Sequence, residues 1–508
     1  MAQAYRDTTI AVVGAGAMGR GIVQVLAEAG FSVIMHDASE AAMTAGRDFA
    51  RGMIDRAAQK GRMDAASAEA AKARIATVAD IAGLGGADIV IEAIVEDIDA
   101  KRGLVARLDT VLAPSAIIAS NTSSLSITAI AAGSAHPSRV AGLHFFNPVP
   151  LMKVAEIIRG AETDADVVTR LVRLTEAFGH APIVTEDSPG FVVNHAGRGL
   201  YTEGLRIVQE GVAAPAAIDL LMREAAGFRM GPFELFDLTG LDVSYAVMRK
   251  IYEQFWQEPR FRPTPLPQRQ VDAGHFGRKT GRGFYRYPDG RIAYPPEPAP
   301  PPQPNDAGRV WLDRSGVSDR EFLARLGAML GDRLDPGEAP AADSTCLVAP
   351  YGLDATRATL VAGLDPARTL AVDPLMGADR RLTLMPSPAT SASHRDACWS
   401  ILAVSGGRVT VVRDSPGFVV QRMLATIVNI ACDIAQQRIA TPPDIDRAVT
   451  LGLGYPEGPL ALGDRIGPPR ILAILDALLA RTGDPRYRAS LWLRRRAELG
   501  LSLIVEER

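Results

Sequence analysis

Thr8-Thr9-Ile10-Ala11-Val12-Val13-Gly14-Ala15-Gly16-Ala17-Met18-Gly19 passes from a β-branched, apolar run into three spaced glycines. Residues 17–29 then carry apolar side chains at helical spacing and stop at Gly30. A strand, a glycine turn and a helix in that order bring backbone N–H groups to a helix N-terminus, a ready site for a pyrophosphate. Gly14 permits the tight turn, Gly16 lets the backbone approach the phosphates, and Gly19 lets the helix pack closely on the strand. Ala15, Ala17 and Met18 complete the binding loop. Residues 31–35 read as the next buried strand and end at His36-Asp37. Asp37 is placed to accept hydrogen bonds from both hydroxyls of an adenosine ribose and to repel a 2′-phosphate, so NAD is favoured over NADP. A solvated turn carboxylate is the plainer alternative.

The alternation continues outward from this motif. Residues 75–78, 88–94, 116–120 and 139–144 are strand-like and alternate with helical stretches such as 39–60 and 101–112. That pattern predicts a Rossmann-type, doubly wound α/β sheet over residues 1–187. After Asp187-Ser188-Pro189-Gly190 the pattern turns purely helical, and 188–287 reads as an all-α domain for substrate or dimerisation. Seven of the ten residues 295–304 are Pro, so 288–306 reads as an extended linker. DSPGFVV occupies 187–193 and recurs at 414–420, an offset of 227. In the same register Ile218-Asp219 matches Ile445-Asp446, Gly231-Pro232 matches Gly458-Pro459, Asp237 matches Asp464 and Gly240 matches Gly467. Residues 411–508 are therefore expected to duplicate the helical domain, and 307–410 to be a degenerate Rossmann-like segment.

The 508 residues are 47% hydrophobic and 22% charged with a formal net charge of −3, which excludes a disordered chain and argues against nucleic-acid binding. No run approaches the ~20 apolar residues of a membrane span. Residues 1–9 are polar and read as lacking a secretory signal. Three widely spaced cysteines (Cys346, Cys398, Cys432) offer neither a disulfide framework nor a CxxC pair, and a soluble, cytoplasmic protein is expected. With neither HExxH nor a His/Cys cluster, no metal is expected.

Gly142-Leu143-His144-Phe145-Phe146-Asn147-Pro148-Val149-Pro150 puts a histidine at the end of a buried strand, on the carboxyl edge where doubly wound sheets bind ligands. Residues 147–150 force a turn and 152–158 read as a returning strand, which can set Glu156 beside His144. A carboxylate against an imidazole fixes its tautomer and makes the histidine a competent general base. Taken singly, a histidine on an apolar strand is more often structural.

The glycine loop with Asp37, Glu92-Ala93-Ile94-Val95-Glu96, Ser120-Asn121-Thr122-Ser123-Ser124, HFFNP, DSPGFVVN and the closing Gly277-Arg278-Lys279-Thr280-Gly281-Arg282-Gly283-Phe284-Tyr285 together resemble the NAD-dependent L-3-hydroxyacyl-CoA dehydrogenases, in order over about 1–287. The resemblance implies an acyl-CoA substrate and NAD. It implies that His144 takes the proton of the 3-hydroxyl as hydride leaves C3 for the nicotinamide, and that Glu156 orients His144. Ser123 would hydrogen-bond the substrate oxygen beside the nicotinamide, and Asn194 would hold the substrate carbonyl. Glu96, Lys101 and Lys279 would line the cofactor site. Lys60 would meet the CoA phosphates, although it reads nearly as well as a solvated helix-end lysine.

The second half departs from this pattern. Asn194 aligns with Gln421, Asp373 falls where His144 stands, and no second GxGxxG occurs, so one active site per chain is expected. In shorter members of the family the helical domain is the dimer interface. The resemblance thus implies an internal pseudo-dimer of the two copies, with a homodimer of whole chains left open. The long form resembles the 3-hydroxyadipyl-CoA dehydrogenases of phenylacetate degradation, and 3-hydroxybutyryl-CoA is the alternative substrate. A dicarboxylic acyl chain needs a cation or donor at the far end of its pocket; Arg198 and Arg206 are candidates, though solvated helix arginines is their plainer reading. A β-hydroxyacid or gulonate-type dehydrogenase fits less well, the former because it relies on a catalytic lysine. A non-catalytic, crystallin-like NAD-binding scaffold would be free to lose one of Ser123, His144, Glu156 and Asn194.

Overall fold

A computed structural model of the chain describes residues 8–302, 308–315 and 319–507. The expectations for 1–7 and for the linker's last residues, 303–306, lie outside the described residues. The chain divides into two compact units, Met1–His195 with Gln437–Leu453, and Ala196–Gln436 with Gly454–Arg508.

The first unit is built on β1 (Thr9–Val13), β2 (Ser32–His36), β3 (Ile75–Thr77), β4 (Ile89–Glu92), β5 (Ile117–Ser120), β6 (Val140–Phe145), β7 (Val154–Arg159) and β8 (Ala181–Glu186). They lie side by side as β3-β2-β1-β4-β5-β6-β7-β8. The winding reverses at β1, whose Val13 is level with His36 on one side and Glu92 on the other. Beyond those carboxyl ends lies the crevice where this fold binds ligands. Alternation along β1 shares its side chains between two cores. Ile10 and Val12 join the core of the Ala17–Glu28 helix, and Ala11 and Val13 that of the Ile98–Asp109 helix. β7 runs antiparallel to β6, and β8 lies parallel to β7. β8 has no counterpart among the sequence expectations: Pro182 weakens its strand signal, and is tolerated because β8 is the end strand of the sheet.

In the second unit the helices Arg198–Gln209, Pro215–Glu224, Pro232–Thr239 and Leu241–Gln254 follow one another. Another sheet comes next in sequence, from β9 (Val310–Leu312), β10 (Leu334–Asp335), β11 (Thr345–Val348), β12 (Thr369–Val372), β13 (Leu382–Pro386) and β14 (Val409–Val411), in the order β10-β9-β11-β12-β13-β14. Its first strand again has the second on one side and the rest on the other, and β12 and β13 are antiparallel as β6 and β7 are. This is a Rossmann-like sheet, and no GxGxxG follows its first strand in the sequence. The Val420–Gln436 helix then packs along Arg198–Gln209, so closely that a Cβ on Gly199 would lie 3.0 Å from the Ile427 Cα. Repeated residues have the same structural role in each copy. Asp237 accepts the Phe284 and Tyr285 N–H groups at 2.9 and 2.8 Å, and Asp464 accepts that of Leu503 at 2.7 Å. Gly240 and Gly467 hold φ of +90° and +103°, which glycine adopts without strain.

Among the described residues, no helix is long and apolar enough to cross a membrane. No group of three or more His, Cys, Asp or Glu side chains there is arranged to hold a metal ion.

Candidate active site

The glycine loop sits at the carboxyl end of β1. Gly14 has φ +107°, and a Cβ there would meet the Ala93 carbonyl at 2.4 Å; a Cβ on Gly19 would fall 1.8 Å from the Gly14 oxygen. A Cβ on Gly16, by contrast, would meet nothing within 4 Å. Gly16 caps the Ala17–Glu28 helix with no side-chain hydrogen bond. The loop is therefore closed where it packs and open where the helix N-terminus faces outward, the shape a pyrophosphate requires. At the end of β2, Asp37 accepts the Ala15 N–H at 2.8 Å and the Ser39 N–H at 2.9 Å, which ties the acid to the loop. These residues fit a bound NAD.

A buried charge cluster follows at the ends of β4 and β5. Lys101, 1% exposed, donates to Glu92 at 2.6 Å, and Glu92 also accepts from the Ile94 N–H at 2.7 Å and the Ser120 hydroxyl at 2.5 Å. The Lys101 ammonium lies 3.5 Å from Glu96. One Glu96 oxygen accepts from the Thr122 hydroxyl at 2.7 Å, the Ser123 N–H at 3.0 Å, and the Ser124 N–H and hydroxyl at 3.1 and 2.8 Å. Burial pushes the Glu96 carboxyl up, but these hydrogen bonds and the Lys101 charge hold it below the usual carboxylate range. Ser123 is thus fixed by Glu96, and Glu96 is held by Lys101. Sequence reasoning gave no role to Glu92 or Ser120; a Glu and a Ser ending adjacent buried strands was the available signal.

The antiparallel register of β6 and β7 sets His144 directly opposite Glu156. The imidazole Nδ1 is 2.7 Å from one Glu156 oxygen, and the other accepts the Val192 and Val193 N–H groups at 2.9 and 2.8 Å. Glu156 is 0% exposed and His144 5%. Nδ1 therefore carries the proton shared with the carboxylate, leaving the lone pair on Nε2, the state a general base needs. Asn121 accepts the Phe145 N–H at 2.8 Å and pins the end of β6 beside the Ser123 loop. Asn194, in the Val193–Ala196 helix, directly follows the two N–H donors to Glu156.

Lys60 is exposed at the C-cap of the Glu40–Gln59 helix. Lys279 belongs to the second unit, where its ammonium is 2.6 Å from Asp242. Arg198 and Arg206 are not solvated helix arginines. Arg198 is 4% exposed with its guanidinium 4.9 Å from the Tyr201 ring, and burial lowers its pKa. Arg206 reaches Glu210 and Asp484 at 3.9 and 3.8 Å. The packing of the two helical copies covers this face, which the periodicity of one helix does not reveal. In the second sheet Asp373 directly follows β12, burial pushes its carboxyl up to about 6, and Gln421 donates to it at 2.9 Å. Its N–H donates to the Thr383 carbonyl, so a threonine stands where Glu156 faces His144.

The family model of the 3-hydroxyacyl-CoA dehydrogenase NAD binding domain matches residues 9–188, and that of the C-terminal domain matches twice, over 190–287 and 417–502. The chain is 37% identical over 491 residues to a 3-hydroxyadipyl-CoA dehydrogenase of Escherichia coli (strain K12), covering 97% of this chain and 98% of that one. It is 39% identical over 276 residues to a probable 3-hydroxybutyryl-CoA dehydrogenase of Deinococcus radiodurans, covering 54% of this chain and 99% of the relative. A crystal structure described as 3-hydroxybutyryl-CoA dehydrogenase from Escherichia coli K12 superposes with a TM-score of 0.85 at 35% identity, over 97% of this chain and 98% of that one. A glycine loop fitted to NAD, a buried His/Glu pair on adjacent strands and a C-terminal domain present twice thus meet in one chain, which belongs to the NAD-dependent 3-hydroxyacyl-CoA dehydrogenase family and acts on 3-hydroxyacyl-CoA.

Proposed function

We propose that the chain oxidises (3S)-3-hydroxyadipyl-CoA to the 3-oxoacyl-CoA in the catabolism of phenylacetate. The observation that carries this choice of substrate is the 37% identity, along nearly the whole of both chains, with a relative of that name. A second reading, 3-hydroxybutyryl-CoA, is favoured by the names of the shorter relatives and of the superposed crystal structure.

Oxidising a secondary alcohol needs a base on the oxygen and a hydride acceptor facing the carbon. NAD, when bound, supplies the acceptor. His144 Nε2 takes the hydroxyl proton, and Glu156, 2.7 Å from Nδ1, balances the imidazolium that forms. Ser123 hydrogen-bonds the reacting oxygen, and Asn194 holds the acyl carbonyl. Gly14, Ala15, Gly16, Ala17, Met18, Gly19 and Asp37 hold the dinucleotide, with Glu96 and Lys101 shaping the floor beside it. Lys60 meets the CoA phosphates. The packing of Val420–Gln436 against Arg198–Gln209 supports the pairing of the two helical copies as an internal pseudo-dimer. Few, widely spaced cysteines suit a cytoplasmic location.

The test is a panel of 3-hydroxyacyl-CoA esters with NAD, followed by NADH absorbance. The expected kcat/KM for the 3-hydroxyadipyl ester exceeds that for the 3-hydroxybutyryl ester by about 10-fold or more. The reverse order would replace the first reading by the second. For Asp37→Ala, losing charge-assisted hydrogen bonds to the ribose is expected to raise KM for NAD about 10- to 100-fold with little change in kcat. Steady-state kinetics at saturating ester checks it, and an unchanged KM would remove Asp37 from the ribose site.

A further inference from the structure

A helix of the second copy packs against the turn whose N–H groups hold Glu156. This helix, Pro442–Leu453, belongs to the same compact unit as the NAD-binding sheet. The approach is made by backbone: the Ile439 carbonyl accepts the Glu186 N–H at 2.8 Å, on the open side of β8. Arg447 then donates to the Pro182 carbonyl at 2.8 Å while holding Asp444 at 2.6 Å. At the far end of the helix, Gly452 lies against Val193. A Cβ on Gly452 would stand 2.9 Å from both Val193 Cγ atoms.

Nothing in the helix itself calls for that glycine. Residue 452 has no left-handed backbone, and alanine is the better helix former. The first copy carries Ala225 at the equivalent position, 227 residues earlier. The missing side chain is thus particular to the copy that faces Val193. Val193 is 1% exposed, and its β-branched side chain has little rotameric freedom, so pressure on its Cγ atoms passes to its backbone. That backbone N–H donates to Glu156 at 2.8 Å, and Asn194 comes next in the chain.

We infer that Gly452 is a positioning residue, through which the second copy sets the Val193 turn and with it the Glu156 carboxylate behind His144. The inference rests on the proposed roles of His144 and Glu156. The duplicated half, on this view, completes the one active site as well as pairing with the first helical copy.

The test uses the full chain and the ester of the panel that it turns over fastest. Gly452→Ala improves helix propensity, so folding is retained, yet it places a Cβ against Val193. Its kcat is expected to fall about 10- to 100-fold, as for a displacement of under 1 Å at the base, with KM for NAD within about 2-fold. Adding Val193→Ala removes both Cγ atoms and is expected to return kcat to within about 5-fold of the wild type, since the two sites are directly coupled. Leu451→Ala, one residue away and exposed, serves as the control for the helix and leaves kcat unchanged. Wild-type kcat in Gly452→Ala, or a loss that Val193→Ala does not relieve, overturns the inference. An inactive wild type would instead sink the assignment of the reaction.

Discussion

Replacing His144 by Ala is expected to lower kcat about 10²–10⁴-fold while leaving NAD binding within about 2-fold of the wild type. The size follows from what the pair supplies. His144 and Glu156 face each other across an antiparallel register that two whole strands enforce, and Glu156 is itself fixed by two backbone N–H groups. The imidazole is thus oriented before substrate arrives, and its removal leaves water as the only proton acceptor, without orientation. NAD binding is unaffected because the glycine loop and Asp37 are held by β1, β2 and the Ala17–Glu28 helix, none of which touches His144 through a hydrogen bond. NADH absorbance under saturating ester, with calorimetric titration of NAD, separates the two effects. Turnover near the wild-type rate would remove His144 as the base, and lost NAD binding would make the substitution uninformative about proton transfer and contradict the independence of the two sites.

What was legible in the sequence was whatever local spacing decides. The run from Thr9 to Gly19 needs only the next few residues to declare a strand, a turn and a helix. His144 and Glu156 could be matched because a short turn and two strands fix their register. The 227-residue offset made the second copy visible, down to Asp464 and Gly467, because the same backbone contacts select the same residues. Other features depend on distant segments. Pro182 hides β8, whose open side is met by Ile439. Glu92 becomes the centre of a buried cluster only when β4, β5 and the Ile98–Asp109 helix converge. Arg198 has the spacing of any helix arginine, and its burial comes from packing that no periodicity encodes. Gly452 looks like a weak point in a helix until Val193 is placed against it.

Arg422→Met is expected to cost the second unit about 3–5 kcal/mol and to lower its Tm by on the order of 10 °C. Arg422 lies on the Val420–Gln436 helix, 1% exposed, and binds Glu203 of the facing helix at 2.7 Å, Glu210 at 2.8 Å, Ser415 at 3.0 Å and Tyr487 at 2.9 Å. Burial acts to raise the Glu203 carboxyl, but the charges of Arg422 and Arg486 and the Tyr487 hydroxyl hold it below the usual range. Methionine fills much of the same volume without the charge, so the loss comes mainly from Glu203 left in a dry interior with Arg486 at 3.5 Å as its remaining cation. The sign with pH follows. A depressed carboxylate pKa contributes stability above the unfolded value of about 4.3, and that contribution is lost as pH falls through the folded value. In Arg422→Met burial is no longer opposed by the Arg422 charge and raises the Glu203 carboxyl above its unfolded value. The variant therefore takes up a proton as pH falls toward 5, and its deficit, largest near neutrality, shrinks. Adding Glu203→Leu removes the stranded charge, and the double variant is expected to regain most of the wild-type Tm. Thermal unfolding of the full chain followed by circular dichroism at pH 7 and pH 5 reads all three. At the 227 offset Arg422 aligns with His195 and Glu203 with Ile430, so this ion pair exists in one direction only. Copy two pairs with copy one through a charge that a second copy of itself could not answer, and a single variant with wild-type stability would deny the pair that role.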